Sequence, residues 1–212
     1  MTQKALQEKT EFGEARQMIS DVDEDFTQEK TMLRIDLACG ESKKEGFEGV
    51  DEYEVEGVDR VFNILKFPWP LETNSVGEFF CSHFVEHVPH DLHNGSRLDG
   101  LVQFMDEVYR CLIPGGLITI VSPYYTSIRA WQDPTHCRAI SEATWQYFNN
   151  KMSDVVKLRH YLGVSNFEVI AQQFILDEEY IHRAESARTW AMRHNWNAVK
   201  DLQVTLRSLK EI

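Results

Sequence analysis

Apolar residues change their spacing near residue 32, and the change divides the chain in two. Up to Lys30, Glu, Asp, Gln and Lys dominate; Ala5 to Ser20 has a weakly helical pattern, and Asp21-Val22-Asp23-Glu24-Asp25 is an acidic break. This predicts an N-terminal arm or helix over residues 1–30 and one domain over residues 31–212. From Met32, short apolar runs take over, each ending in a small, polar or acidic residue. Met32 to Leu37 reads as a buried strand stopped at Gly40, Phe47 to Asp51 as a second, Val58 to Ile64 as a third and Gly77 to Ser82 as a fourth. Leu98, Leu101, Val102, Met105, Val108, Tyr109 and Leu112 then recur at three and four, the stripe of an amphipathic helix that Pro114-Gly115-Gly116 stops. Leu117 to Val121 is rich in β-branched residues and predicts a central strand. Thr144 to Phe148 predicts a helical segment, Phe167 to Leu176 a sixth strand, and the alternation of Leu202, Val204 and Leu206 a half-buried last strand.

Strands alternating with helical segments from a glycine-marked start are the pattern of a doubly wound α/β sheet. The early connections are short: only about seven positions separate Gly40 from Phe47, and Glu52 to Gly57 is as brief, against a dozen or more for a crossover helix. Helices are therefore expected to be reduced between the first three strands. One sheet face is then left for the N-terminal arm or a partner subunit, as in a homodimer, to cover.

At 212 residues and 42% hydrophobic content, the chain can bury a core. Its formal net charge of -12 opposes non-specific nucleic-acid binding, which needs a basic surface to displace counterions. Cys39, Cys81, Cys111 and Cys137 are far apart and form no C-x-x-C pair, so neither a metal cluster nor a disulfide framework is expected. Reduced thiols, a start without an apolar run and no later stretch able to span a bilayer predict a cytoplasmic protein that engages no membrane.

In such sheets a ligand binds beyond the carboxyl ends of the strands. After the first run come Asp36, Ala38, Cys39 and Gly40, where small residues let the backbone approach a ligand. The second run ends in Asp51, a carboxylate able to accept both hydroxyls of a ribose. Asn63 at the third offers a donor and an acceptor suited to an adenine edge, and the fourth finishes at Ser82-His83. Taken singly, Gly40 reads as well as a turn glycine, Asp51 as a helix cap and Asn63 as a turn residue.

Leu33 to Gly40 followed by Gly49-Val50-Asp51 resembles the first two motifs of the class I S-adenosylmethionine-dependent methyltransferases. Cys81 to His87 resembles the segment after their fourth strand, and Arg110 to Gly116 the helix end that leads into the fifth. The likeness runs from Met32 to Tyr125 in the family's order. It implies a Rossmann-like, seven-stranded, mostly parallel sheet with an antiparallel last strand, and S-adenosyl-L-methionine as cofactor. On this resemblance Asp36, Ala38, Cys39 and Gly40 would line the methionine and ribose part, Asp51 the ribose hydroxyls, Asn63 and Ile64 the adenine, and Ser82-His83 the sulfonium. Two residues depart from the pattern: Ala38 stands where glycine is usual, and Asn63 where aspartate is commoner.

Methyl transfer needs an aligned acceptor and often a base. His83, His87, Asp133 and His136 are the candidates, and Tyr124, Tyr125, Arg129 and Trp131, in the loop after the fifth strand, are candidate acceptor-binding residues, with Arg138 a further cation. His90 and His93 read as solvent-facing. The polar loop and acidic charge favour a small-molecule or sugar acceptor, and no resident metal is expected. Two other readings stay open. A domain of this kind can bind the cofactor without catalysis, as a sensor or scaffold. His83-Phe84-Val85-Glu86-His87 also fits the H-x-x-E-H signature of zinc peptidases, with Glu142 as nominal third ligand, although Pro89 limits any helix there to a turn.

Overall fold

The computed structural model describes residues 32–157 and 163–211, so the arm expected over residues 1–30 lies outside the described residues. Seven strands form one sheet: β1 (Leu33–Leu37), β2 (Glu48–Asp51), β3 (Arg60–Val61), β4 (Val76–Ser82), β5 (Leu112–Pro123), β6 (Phe167–Leu176) and β7 (Val199–Ser208). They lie side by side in the order β3-β2-β1-β4-β5-β7-β6. The pairs among β1 to β5 are parallel, whereas β7 runs antiparallel to both β5 and β6. This is the Rossmann-like sheet with a reversed last strand that the sequence predicts.

The described helices are α1 (Gly100–Cys111), α2 (Arg129–Gln132), α3 (Asn150–Val156), α4 (Glu178–Ile181) and α5 (Glu185–His194), with 3-10 turns at Val85–His87 and Thr144–Phe148. None is described between β1 and β2 or between β2 and β3, and the strands show the consequence. Ile35, Leu37, Phe79, Cys81, Ile118, Ile120, Val204 and Leu206 are buried and join Phe104, Met105 and Val108 of α1 in one core. The alternate positions carry Arg34, Glu78, Phe80, Thr119 and Thr205, which are partly exposed. A parallel sheet covered by helices on both faces reads as continuous apolar runs; this one alternates because, among the described residues, only one face packs like a core. Its second face is knit by polar contacts: Arg34 pairs with Glu78 at 2.8 Å and Thr119 Oγ1 meets Thr205 Oγ1 at 3.0 Å. The Lys44 ammonium lies 3.9 Å from the Phe80 ring centre and the Arg34 guanidinium 4.2 Å from that of Phe47, so cation–π contacts shield the two aromatic rings.

The helical segment expected at Thr144–Phe148 is present as a five-residue 3-10 helix. Two sequence expectations are corrected. The third strand shrinks from Val58–Ile64 to Arg60 and Val61, both exposed at the sheet edge. Pro114-Gly115-Gly116 lies inside β5, which begins at Leu112 directly after α1, and not between the helix and the strand. There Gly115 takes a φ of +74° and the register with β4 jumps from Val76–Leu112 to Glu78–Leu117.

Candidate functional site

The carboxyl ends of β1 to β4 meet around a cavity of about 190 Å³ lined by Ala38, Asp51, Glu52, Asn63, Ile64, Leu65 and Phe84. Its geometry starts at β2. Gly49 pairs with Asp36 across the sheet, and a Cβ on it would lie 2.6 Å from the Gly57 carbonyl oxygen and 2.7 Å from Cys39 Sγ. Only glycine lets the β1–β2 loop fold down here. Asp51 at the strand end then accepts the Gly40 amide at 3.0 Å on Oδ2 and the Tyr53 amide at 3.2 Å on Oδ1. These bonds orient the carboxylate and leave lone pairs on both oxygens for a ligand.

Asp36 is not among the residues that line this cavity. It is buried beneath the loop and accepts the Lys44 amide at 2.7 Å, and burial pushes its carboxyl above the usual range. Its work is to hold the loop that carries Ala38 and Gly40. Cys39 is buried against Gly49, and burial, with the nearby Asp36 and Asp51 charges, raises its thiol to about 11. Asn63 lines the cavity, but its amide is engaged: Oδ1 accepts the Leu65 amide at 2.8 Å and Nδ2 donates to Glu52 at 2.8 Å. Glu52, Leu65 and Phe84 were not singled out from sequence; Phe84 follows the fourth strand directly and completes the apolar wall with Ile64 and Leu65.

Ala38 adopts a φ of +54°, in the left-handed region where a side chain is strained by about 1–2 kcal/mol. Ala38→Gly is therefore expected to gain about 0.5 kcal/mol after the larger entropy of an unfolded glycine is counted. Ala38→Val should lose about 2 kcal/mol, because β-branching is poorly tolerated there. Thermal melting of the two variants checks the opposite signs.

A second hollow of about 210 Å³ adjoins β4 and β5, lined by His83, Glu86, His87, Pro123, Arg129, Gln132, Asp133 and His136. The consecutive residues His83 and Phe84 border one hollow each. His83 has a φ of +53°, and its Nδ1 lies 2.9 Å from Ser82 Oγ. Its Nε2 lies 3.4 Å from both Asp201 Oδ1 and Arg129 Nη2. A guanidinium only donates and a carboxylate only accepts, so one neutral tautomer serves Arg129 and the other serves Asp201. Arg129 is anchored by Asp201 Oδ2 at 2.9 Å.

Behind His83 stand three groups brought together from distant positions. A ligand atom from each of Glu86, His87 and His136 lies within 4.8 Å of the others, and the two imidazole centres are 4.6 Å apart. Glu86 is 1% exposed, neither carboxylate oxygen has a hydrogen-bond partner among the described residues, and burial raises its carboxyl above the usual range. Asp133 is committed to its turn, accepting the Thr135 hydroxyl and amide, and these bonds hold its carboxyl below the usual range.

Other expected residues are placed elsewhere. Tyr124 is buried, donates to Glu142 at 2.8 Å and packs on Tyr125 and Phe174, away from both hollows. Tyr125 and Trp131 are exposed, and Trp131 donates its indole N–H to the Tyr125 carbonyl. Arg138 is spent on Asp99 and the Val88 carbonyl. His90 bridges Asp99 and the Cys137 carbonyl; His93 is exposed beside Asp91. The peptidase set of His83, His87 and Glu142 is not assembled: the metal-competent group among the described residues contains neither His83 nor Glu142. No described helix is long and apolar enough to cross a membrane.

No protein-family model and no curated protein matches the sequence. Solved structures do resemble it. An S-adenosylmethionine-dependent methyltransferase from Archaeoglobus fulgidus is 21% identical, with a TM-score of 0.54 over 84% of this chain and 87% of that one. A Methanosarcina mazei S-adenosylmethionine-dependent methyltransferase is 13% identical, with a TM-score of 0.50 over 84% of this chain and 93% of that one. Geranyl diphosphate C-methyltransferase from Streptomyces coelicolor is 10% identical, with a TM-score of 0.51 over 84% and 72%. With the strand order and the reversed β7, these likenesses establish that the chain has the fold of the class I S-adenosylmethionine-dependent methyltransferases.

Proposed function

We propose that this protein is a methyltransferase that uses S-adenosyl-L-methionine and acts on a small-molecule or sugar acceptor. The observation that carries the reading is the cavity at the ends of β1 to β4, where the Asp51 carboxylate, fixed by two backbone amides, shares the lining with apolar Ile64, Leu65 and Phe84. A carboxylate with free lone pairs suits a ribose diol, and an apolar slot suits a purine face. Ala38 and Gly40 would border the methionine part, their positive φ values turning the chain away from it. The cofactor, when bound, supplies a methyl group on a cationic sulfur.

The protein's own share of the chemistry falls to the second hollow. His83 borders it at the tip of β4, and Arg129, held by Asp201, supplies a fixed cation beside that imidazole. His83 would take a proton from an acceptor hydroxyl or amine, and Arg129 would orient an anionic or polar acceptor. The net charge of -12 fits a small acceptor better than a nucleic acid.

Calorimetric titration of the full chain with S-adenosylhomocysteine is expected to show saturable one-to-one binding with a micromolar Kd. Absence of binding removes the assignment. A transfer assay with labelled methyl donor then separates an enzyme from a cofactor-binding scaffold: binding with no product across a broad acceptor panel selects the scaffold.

A further inference from the structure

We infer that Glu86, His87 and His136 form a binding site for one divalent transition-metal cation, at the wall of the second hollow. The chemistry of each group points the same way. Thr135 Oγ1 has one hydrogen, which it gives to Asp133 Oδ1 at 2.7 Å. Its contact of 2.9 Å with His87 Nδ1 must therefore be a bond that it accepts, so Nδ1 carries a proton and, in the neutral ring that binds a metal, Nε2 of His87 is the lone pair. His136 Nδ1 lies 3.1 Å from the Ala130 carbonyl oxygen, which can only accept, so in the neutral ring Nε2 of His136, 4.0 Å from Asp133 Oδ2, is the lone pair as well. Metal-ligating histidines are held in this way, the far nitrogen donating to a carbonyl or to a carboxylate-linked group that fixes tautomer and ring angle.

The third group is Glu86. A side chain 1% exposed with two unpartnered oxygens is among the costliest arrangements in a folded protein. The 3-10 turn Val85–His87 puts it there next to His87, and Cys137 N–H donates to the Glu86 carbonyl at 2.7 Å, drawing the His136 segment against it. Ligand atoms from all three lie within 4.8 Å of one another, and small side-chain rotations would bring them to the about 3.5 Å that separates ligands of one tetrahedral cation held at about 2.0–2.2 Å. A cation would satisfy the buried carboxylate and both imidazole nitrogens at once.

Two imidazoles and one carboxylate select zinc, cobalt, manganese or iron over magnesium or calcium, which prefer oxygen ligands. Three protein ligands leave coordination positions open. Because Glu86, His87 and His136 share their hollow with His83 and Arg129, those positions face the space given above to the acceptor. The inference rests on the proposed methyl transfer for that last step only: it narrows the acceptor to molecules that offer a metal-binding oxygen.

The test uses the full chain, stripped with chelator and titrated with Co²⁺ while visible absorption is followed. Bands should saturate at one cation per chain. Glu86→Gln and His136→Ala should each weaken binding at least tenfold, with unchanged far-ultraviolet circular dichroism, whereas His93→Ala should match the parent. Absence of saturable absorption, or equal affinity in the Glu86→Gln/His136→Ala double variant, overturns the site. Calorimetry with S-adenosylhomocysteine on the same sample separates the two ideas: cofactor binding without cobalt binding removes the metal site alone, and cobalt binding without cofactor binding removes the methyltransferase reading alone.

Discussion

Asp51→Ala is expected to weaken S-adenosylhomocysteine binding by about 5- to 150-fold, the equivalent of about 1–3 kcal/mol for stranding polar partners in a partly buried site. Two losses add. The ribose hydroxyls lose their acceptor, and the Gly40 and Tyr53 amides, which now donate to Asp51 at 3.0 and 3.2 Å, lose theirs. The second loss frees the β1–β2 loop, so the variant should also melt at a lower temperature. Asp51→Asn divides the two contributions. Its remaining oxygen accepts one amide, while its NH₂ presents donors where the ribose also donates. The fold should then recover more than the affinity does. Calorimetry paired with thermal melting reads both effects, and an affinity within twofold of the parent in Asp51→Ala would take this carboxylate out of the site.

The strands that could be read in advance are those whose side chains alternate against a single core. β6 runs from Phe167 to Leu176, the bounds expected from its pattern, and β7 extends the Leu202–Leu206 alternation by a few residues at each end. β3 was overestimated because Val58, Phe62 and Ile64 are apolar for a different reason. Ile64 is a cavity wall, and Phe62, although its amide still donates to the Asp51 carbonyl at 3.0 Å, packs its ring near Trp69, at 6.3 Å between ring centres, so the burial of both comes from outside the sheet. Hydrophobicity marks burial, and a ligand cavity buries side chains as well as a sheet does. α4 and α5 escaped notice because few of their residues are buried, Tyr180 and Ala191 being the exceptions, so no apolar stripe announces them.

The candidate site is legible in the sequence where its residues follow strand ends, and illegible where distant segments converge. Ala38, Asp51, Asn63 and Ile64 reach one cavity because each stands just past the tip of a strand or at the end of its run. Asp36 is the instructive exception: it lies within β1, so its side chain points into the sheet's second face, where it ties down Lys44. Position along the strand separates a residue that can meet a ligand from one that supports the loop. The grouping of His136 with Glu86 and His87 leaves no trace in spacing, since it depends on the loop after β5 folding back on the turn after β4. The acidic residue of H-x-x-E-H was visible, but its burial was not; a motif gives identities and the fold gives solvation.

Glu107→Ala is expected to destabilise the fold by about 2–4 kcal/mol, measured by urea denaturation, and to loosen the cavity at the ends of β1 to β4 although the residue lies outside it. Glu107 is buried on α1, where its Oε1 accepts the Trp69 amide at 2.6 Å and the Arg110 guanidinium at 2.7 Å. Arg110 in turn donates to the Trp69 and Leu71 carbonyls. Removing the carboxylate leaves a buried amide without an acceptor and a partly exposed guanidinium without its counter-ion; the exposure of Arg110 keeps the effect below that of a fully buried pair. Glu107→Gln preserves an acceptor for Trp69 and should cost about half as much. The reach into the site runs through Trp69, whose indole N–H donates to the Ile64 carbonyl at 3.0 Å and whose ring packs edge-on against Phe79 and Phe104. Ile64 is a wall of the cavity. The helix on the core face thus braces the cavity-lining segment from behind, chiefly through Trp69. S-adenosylhomocysteine affinity should fall in Glu107→Ala more than in a variant of equal stability loss placed at β6, such as Phe167→Leu. Equal affinities in the two would show that the wall keeps its place without this support.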